Sequence, residues 1–195
     1  MAISVEDIKK LRDQTGAGMM KAKEALEAAD GNFDKAVVYL REKGEATAAK
    51  KADREARAGL IEAYVHGGRI GVIVEINCET DFVARTEEFK GFARDVAMHI
   101  AAVNPQYLNP EAVPADVVEQ EKAIYRKEVE GKPAEILEKI VDGKLAKFYE
   151  QVCLTNQQFV KDPDVTVSKL TTNLVAKLGE NIVIRRYERL ELGAN

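Results

Sequence analysis

The chain has 195 residues, 46% hydrophobic and 32% charged, with 29 basic against 33 acidic side chains and a net charge of −4. This length buries a core without metal or disulfide staples, and the composition excludes a low-complexity disordered chain. A pI near 5.4 argues against a task of coating nucleic acid or anionic lipid, and no apolar run approaches the ~20 residues that cross a bilayer.

Cys78 and Cys153 lie far apart, forming neither a metal knuckle nor a secreted disulfide framework. The opening MAISVEDIKK has no basic region followed by an apolar stretch, so no signal peptide is expected. These features predict a soluble, cytoplasmic protein. Charge is uneven: residues 1–58 carry 12 basic and 11 acidic side chains, and the rest carry 17 and 22.

Ser4, three residues ahead of Asp7, predicts a capped helix start, and Val5, Ile8 and Leu11 give its apolar stripe. Thr15-Gly16-Ala17-Gly18 predicts a sharp turn. Met19 to Ala29 reads as a second helix closed by Gly31. Asn32 caps a third, carrying Phe33, Ala36, Val37 and Leu40, which Gly44 is expected to end. Residues 1–44 are therefore expected to form a compact three-helix bundle, and the Ala-rich residues 45–58 a helical linker.

From Gly59 the period changes. Two β-rich runs, Leu60 to His66 and Arg69 to Asn77, flank Gly67-Gly68, a strong hairpin signal. Ile70, Val72, Val74 and Ile76 share one face of the second. A polar loop, Cys78 to Arg85, is expected next. Thr86 then caps a helix with Phe89, Phe92, Ala93, Val96, Ile100 and Val103 on its apolar side. Residues 114–131 and 133–152 read as an antiparallel helical hairpin, with Pro114 and Pro133 in first turns and Gly131 at a helix end. Lys161 to Asp164 reads as a turn, Thr166 caps a helix that Gly179 ends, and Ile182 to Leu192 is a last strand. The fold class is α+β: a bundle at 1–44, a linker at 45–58, and a core at 59–195. The core has a small antiparallel three-stranded sheet packed by helices, with the helical hairpin at 114–152.

Catalytic patterns are weak. His66 and His99 stand in no ligand or triad spacing. Cys78 ends an apolar strand, which favours a buried thiol over a nucleophile. Glu79 and Asp81 form a carboxylate pair too small for a metal site, and no phosphate-binding glycine motif occurs. No cofactor and no metal are therefore expected. The basic run Lys50, Lys51, Arg54 and Arg57 is interleaved with Asp53 and Glu55 and has no aromatics, so it reads as a solvated helix rather than an RNA contact.

Two features stand out. Phe82 follows Asp81 in a polar connection after a strand, either folded back under the next helix or exposed as an interface anchor. Met19-Met20 opens a helix beside a glycine turn, where paired methionines make an adaptable contact surface if they are not core.

The blocks TGAGMMKAKEAL (15–26), AAKKADREA (48–56) and NCETDFVAR (77–85), with the terminal LGENIVIRRYERLEL, resemble the bacterial elongation factor Ts family in the family's order. The resemblance implies a guanine-nucleotide exchange factor for the GTPase elongation factor Tu. It also implies a ubiquitin-associated-like bundle that docks on the GTPase nucleotide domain through Leu11, Met19, Met20 and Lys23. A loop carrying Thr80, Asp81, Phe82 and Val83 would disturb the partner's Mg²⁺ site, and the core would reach a second partner domain. Longer members double the core and extend a coiled coil. This chain has room for one core copy and a short hairpin, which implies a homodimer and a two-to-two complex. Neither nucleic acid nor membrane is an implied partner. The rival reading is a ubiquitin-associated-like adaptor that binds a protein or the ribosome without promoting exchange.

Overall fold

A computed structural model of the chain describes residues 3–129, 131 and 133–194. The first three helices are α1 (Val5–Thr15), α2 (Met19–Ala28) and α3 (Phe33–Lys51). Ser4 Oγ accepts from Asp7 N–H at 3.0 Å and donates to the Asp7 carboxylate at 2.6 Å, so one side chain anchors the first turn twice. Asn32 Oδ1 accepts from Lys35 N–H and starts α3. Ile8, Leu11, Ala22, Ala25, Leu26 and Ala36 close the bundle's core, while Val5, at the exposed end of the α1 stripe, stays in solvent. The small alanines let the helices approach closely, and each buried Leu or Ile contributes about 1.5–3 kcal/mol.

Gly44 does not end α3. The helix runs on to Lys51, and Gly44 is buried within it. A Cβ at Gly44 would lie 3.3 Å from Ala176 Cβ, so the glycine is there for close helix packing. Residues 45–51 thus belong to α3, and strand β1 (Ala58–His66) begins after a turn.

Strands β1 and β2 (Ile70–Cys78) join through Gly67 and Gly68, both with positive φ, and Arg69 N–H donates to His66 C=O. That is the two-residue hairpin read from the sequence. Gly59 in β1 has φ +143°, and a Cβ there would sit 2.1 Å from Ile76 O, so only glycine fits. Strand β5 (Ile182–Glu191) completes a three-stranded antiparallel sheet in the order β1-β2-β5.

Between β2 and β5 run α4 (Asp81–Ala84), α5 (Glu87–Val103), α6 (Ala115–Glu128), α7 (Ala134–Val152), β3 (Gln158–Phe159), β4 (Asp162–Thr166) and α8 (Val167–Leu178). The polar connection expected at Cys78 to Arg85 therefore contains a short helix. The turn expected at Lys161 to Asp164 lies earlier, because Asp162–Asp164 belong to β4, which pairs antiparallel with β3. Thr86 Oγ1 accepts from Phe89 N–H, and Phe89, Phe92, Ala93, Val96 and Ile100 form the buried side of α5; Val103 is exposed. In the helical hairpin, Arg126 pairs with Glu138, and Lys144 pairs with Glu128. Pro114 and Pro133 sit at the N-caps rather than inside the first turns. Residue 130, expected to be helical, lies outside the described residues.

The chain packs as two compact units. One comprises Met1–Glu62, Val74–Arg94 and Lys169–Tyr187; the other comprises Ala63–Ile73, Asp95–Ser168 and Glu188–Asn195. The bundle belongs to the first and the helical hairpin to the second.

Candidate functional site

Strand β2 alternates: Val72, Val74 and Ile76 are buried. It ends at Cys78, whose Sγ donates to Thr80 C=O at 3.1 Å. The chain then turns into α4, with Thr80 in extended conformation as its N-cap and Thr80 Oγ1 accepting from Val83 N–H. Ala84, on the inner side of α4, is buried. The opposite side presents Phe82, which is 78% exposed. A phenyl ring left that far in water is not a staple under the next helix, and the buried alternative for Phe82 is overturned. Val83 is half-buried. Asp81 is exposed and pairs with Arg85 one turn on at 2.7 Å.

Glu79 turns instead to the end of α8. Its carboxylate accepts from Asn181 N–H at 2.7 Å and meets Arg54 at 3.3 Å, and these donors, the Asn181 amide first, hold its pKa below the usual carboxylate range. The expected carboxylate pair is thus two separate ion pairs. Among the described residues, no group of three His, Cys, Asp or Glu side chains is placed to hold a metal ion.

Glu180 has the reverse role. Its Oε2 accepts from Glu79 N–H at 3.1 Å and Thr80 N–H at 2.9 Å, and its Oε1 accepts from Thr80 Oγ1–H at 2.6 Å. Asn181 Nδ2 donates to Ala52 and Arg54 carbonyls at 3.1 and 2.7 Å. Sequence reasoning gave neither residue a role: LGEN read as a helix end and as the start of a block that resembles the family, and their partners lie about a hundred or more positions away.

The bundle supplies a second exposed feature. Gly16 caps α1 with φ +68°, and Gly18 caps α2 without a side-chain hydrogen bond. Met20 is 77% exposed, Met19 lies at the edge at 37%, and Lys23 is exposed beside Glu27 at 3.6 Å. The helical repeat puts Met20, Lys23 and Glu27 on one face, opposite Ala22, Ala25 and Ala29. Leu11 is different. It is wholly buried in the bundle core, so its side chain offers no surface to a partner, and that assignment is corrected to a structural one.

Other reactive groups are absorbed by the fold. Cys78 and Cys153 are buried, and burial pushes each thiol up to about 11, the opposite of an activated nucleophile. His99 is fully buried. Its Nδ1 accepts from Val160 N–H at 3.2 Å, so Nε2 carries the proton toward Gln157 Oε1 at 3.1 Å. Burial holds this imidazole below its ordinary value. His66 borders the hairpin turn and bonds Tyr64. In the basic run, Arg57 meets Glu55 and Arg54 meets Glu79. No helix among the described residues is long and apolar enough to cross a membrane.

A family model described as "Elongation factor TS" matches residues 4–173. The chain is 54% identical to Elongation factor Ts of Syntrophus aciditrophicus, over 99% of this chain and 98% of that protein. It is 58% identical to Elongation factor Ts of Carboxydothermus hydrogenoformans, over 98% of this chain and 89% of that one. Its counterpart in Caldanaerobacter subterraneus is 56% identical, over 98% and 97%.

Proposed function

Because the chain belongs to the elongation factor Ts family, we propose that it is a translation elongation factor that binds elongation factor Tu and drives exchange of its guanine nucleotide. The observation that carries the reading is Phe82: a large aromatic, 78% exposed, on a junction capped by Thr80 and braced by Glu180. Exposed aromatics on rigid elements are the residues that dominate interfaces.

Exchange needs no bond-making in this chain. The factor must bind the nucleotide-free partner better than the loaded one, and by linkage nucleotide then weakens factor binding by the same ratio. Met19, Met20 and Lys23 supply docking on the nucleotide domain; methionine's flexible thioether suits an adaptable apolar contact. That binding energy drives Phe82 between the partner side chains that support Mg²⁺, with Thr80, Asp81 and Val83 following. Mg²⁺ demands near-ideal octahedral geometry, so a small displacement of its supports releases the nucleotide. Asp81 enters paired with Arg85, so its field reaches the cation partly neutralised. GDP leaves and GTP enters.

The three-helix bundle, whose α3 runs on to Lys51, is the docking module, joined by the turn before β1 to the core at 59–195, which includes the hairpin 114–152. The factor works in the cytoplasm as a homodimer in a two-to-two complex with the GTPase. Support for pairing comes from the sheet. Arg186 donates to Glu75 at 2.8 Å, so the two residues share a face, and strand alternation puts Ile73 and Leu190 there as well. Ile73, Leu190 and nearby Leu192 are 55%, 75% and 65% exposed.

Stopped-flow release of fluorescent GDP from elongation factor Tu tests the central reading. Addition of this protein accelerates release; unchanged release leaves only the adaptor reading. Sedimentation tests the pairing: a dimer at micromolar concentration is expected, and a clean monomer rejects it.

A further inference from the structure

We propose that Glu180 is the positioning residue for Phe82, and that α8 is the strut fixing Phe82 relative to the docking face of α2; this inference rests on the exchange reading above. Glu180 takes three donors from two adjacent residues, Glu79 and Thr80, immediately ahead of the helix that carries Phe82. Hydrogen bonds to a carboxylate are the shorter and stronger kind. Glu79 answers by accepting from Asn181, and Asn181 ties the end of α3 through Ala52 and Arg54. Three distant chain segments are thereby locked at one point, all within one compact unit.

The other side of α8 meets the bundle. Lys21 Nζ, next to Met20 on α2, donates to Ala176 C=O at 2.7 Å. Ala176 also faces Gly44 of α3, where a Cβ would come within 3.3 Å, and Lys169 pairs with Glu45. One twelve-residue helix thus contacts both helices next to the docking surface and leads directly to Glu180. Docking energy reaches a wedge only through elements that do not yield. A ring on a slack loop would relax aside when the bundle binds, and the energy would tighten binding without moving the metal supports. Gly44 keeps α3 and α8 in direct backbone-level contact, and the Glu180 carboxylate completes the path.

The experiment measures the limiting rate of fluorescent GDP release from elongation factor Tu and the factor concentration giving half that rate. The variants are Glu180→Ala, Glu180→Gln, Phe82→Ala and the double variant. Glu180→Ala is expected to lower the limiting rate about tenfold, since displacements near 1 Å cost up to about 10²-fold in positioned chemistry. The half-saturating concentration should stay within about twofold, because docking is intact. Glu180→Gln, which keeps one acceptor for the two amides, should recover part of the loss. In the Phe82→Ala background, Glu180→Ala should change the rate by less than about twofold, because the side chain it positions is gone. An equal loss in both backgrounds, or a wild-type limiting rate for Glu180→Ala, overturns the inference. If Glu180→Ala does not fold by circular dichroism, Glu180→Asp takes its place in the same cycle: its shortened reach should lower the rate, and a wild-type rate overturns the inference. Failure of the exchange reading is separately visible, because Phe82→Ala alone would then leave release unchanged.

Discussion

Two helix starts in one compact unit each leave a large apolar side chain in water, Met20 at 77% and Phe82 at 78% exposure. They are built by opposite means. Met20 stands on a helix whose N-cap is Gly18, with no side-chain hydrogen bond, and it is itself a flexible thioether. Phe82 stands on a helix of four residues capped by Thr80, which is gripped by Glu180 and set at the end of a buried strand. Under the proposed exchange reading, the first arrangement would conform to the GTPase it meets, and the second would make the GTPase conform. Equal exposure therefore does not mean equal work: a soft contact suits holding, and a braced one suits displacement.

Five perturbations break or sharpen that contrast. The largest effect is expected from Phe82→Ala, which should cut stimulated GDP release by about 10²-fold, the range of an interface hot spot, while leaving the melting temperature unchanged. Stopped-flow fluorescence reads the first and circular dichroism the second; a lowered melting temperature would show that the ring serves its own fold. Next comes Met20→Ala, expected to weaken the complex about tenfold in calorimetric titration, with the limiting release rate preserved. If the limiting rate fell as well, the division between holding and displacing would be lost. Thr80→Ala removes a cap and a donor to Glu180, and urea unfolding should show a loss of about 1 kcal/mol. Gly18→Ala should cost less, because no side-chain cap exists there to lose.

The smallest effect on the contrast comes from pH. His99, in the other unit, has its folded-state value lowered by burial relative to the ordinary 6.5. Its contribution to stability is complete above 6.5 and is lost as pH falls from there through the folded value, because the unfolded chain takes up the proton first. Urea midpoints should decline from pH 7 toward pH 5. The ratio of release rates between wild type and the Met20→Ala variant should hold constant across that range; a drifting ratio would mean that a titrating group participates in one of the two contacts.

The parts legible in the sequence are those whose partners lie close along the chain. Ser4, Asn32 and Thr86 reach amides three residues on, and Gly67-Gly68 closes its own hairpin, so each could be read locally. Gly44 was misread because the reason for it is Ala176, a tertiary neighbour, and a glycine without that knowledge reads as a stop. Helix α4 escaped because four residues are too few to show a period. The β3–β4 pair escaped because Pro163 in a short strand imitates a turn. For the proposed site, the exposed side chains were legible as unusual chemistry: an aromatic among polar neighbours and a pair of methionines. Leu11 was named for docking only by the resemblance, whereas its place in the apolar stripe points to the burial that the structure shows. Glu180, on which the geometry of the junction depends, lies 100 positions from Thr80, and nothing in its local pattern announces that bond.

The two buried cysteines offer a consequence of a different kind. Cys78 lies in one compact unit and Cys153 in the other, each sealed from solvent with its thiol pushed up to about 11. A thiol reagent at neutral pH meets neither until its surroundings open. Nature has thus installed one silent reporter per half, and the pace at which each is alkylated reads the opening free energy of its own half, with no label added.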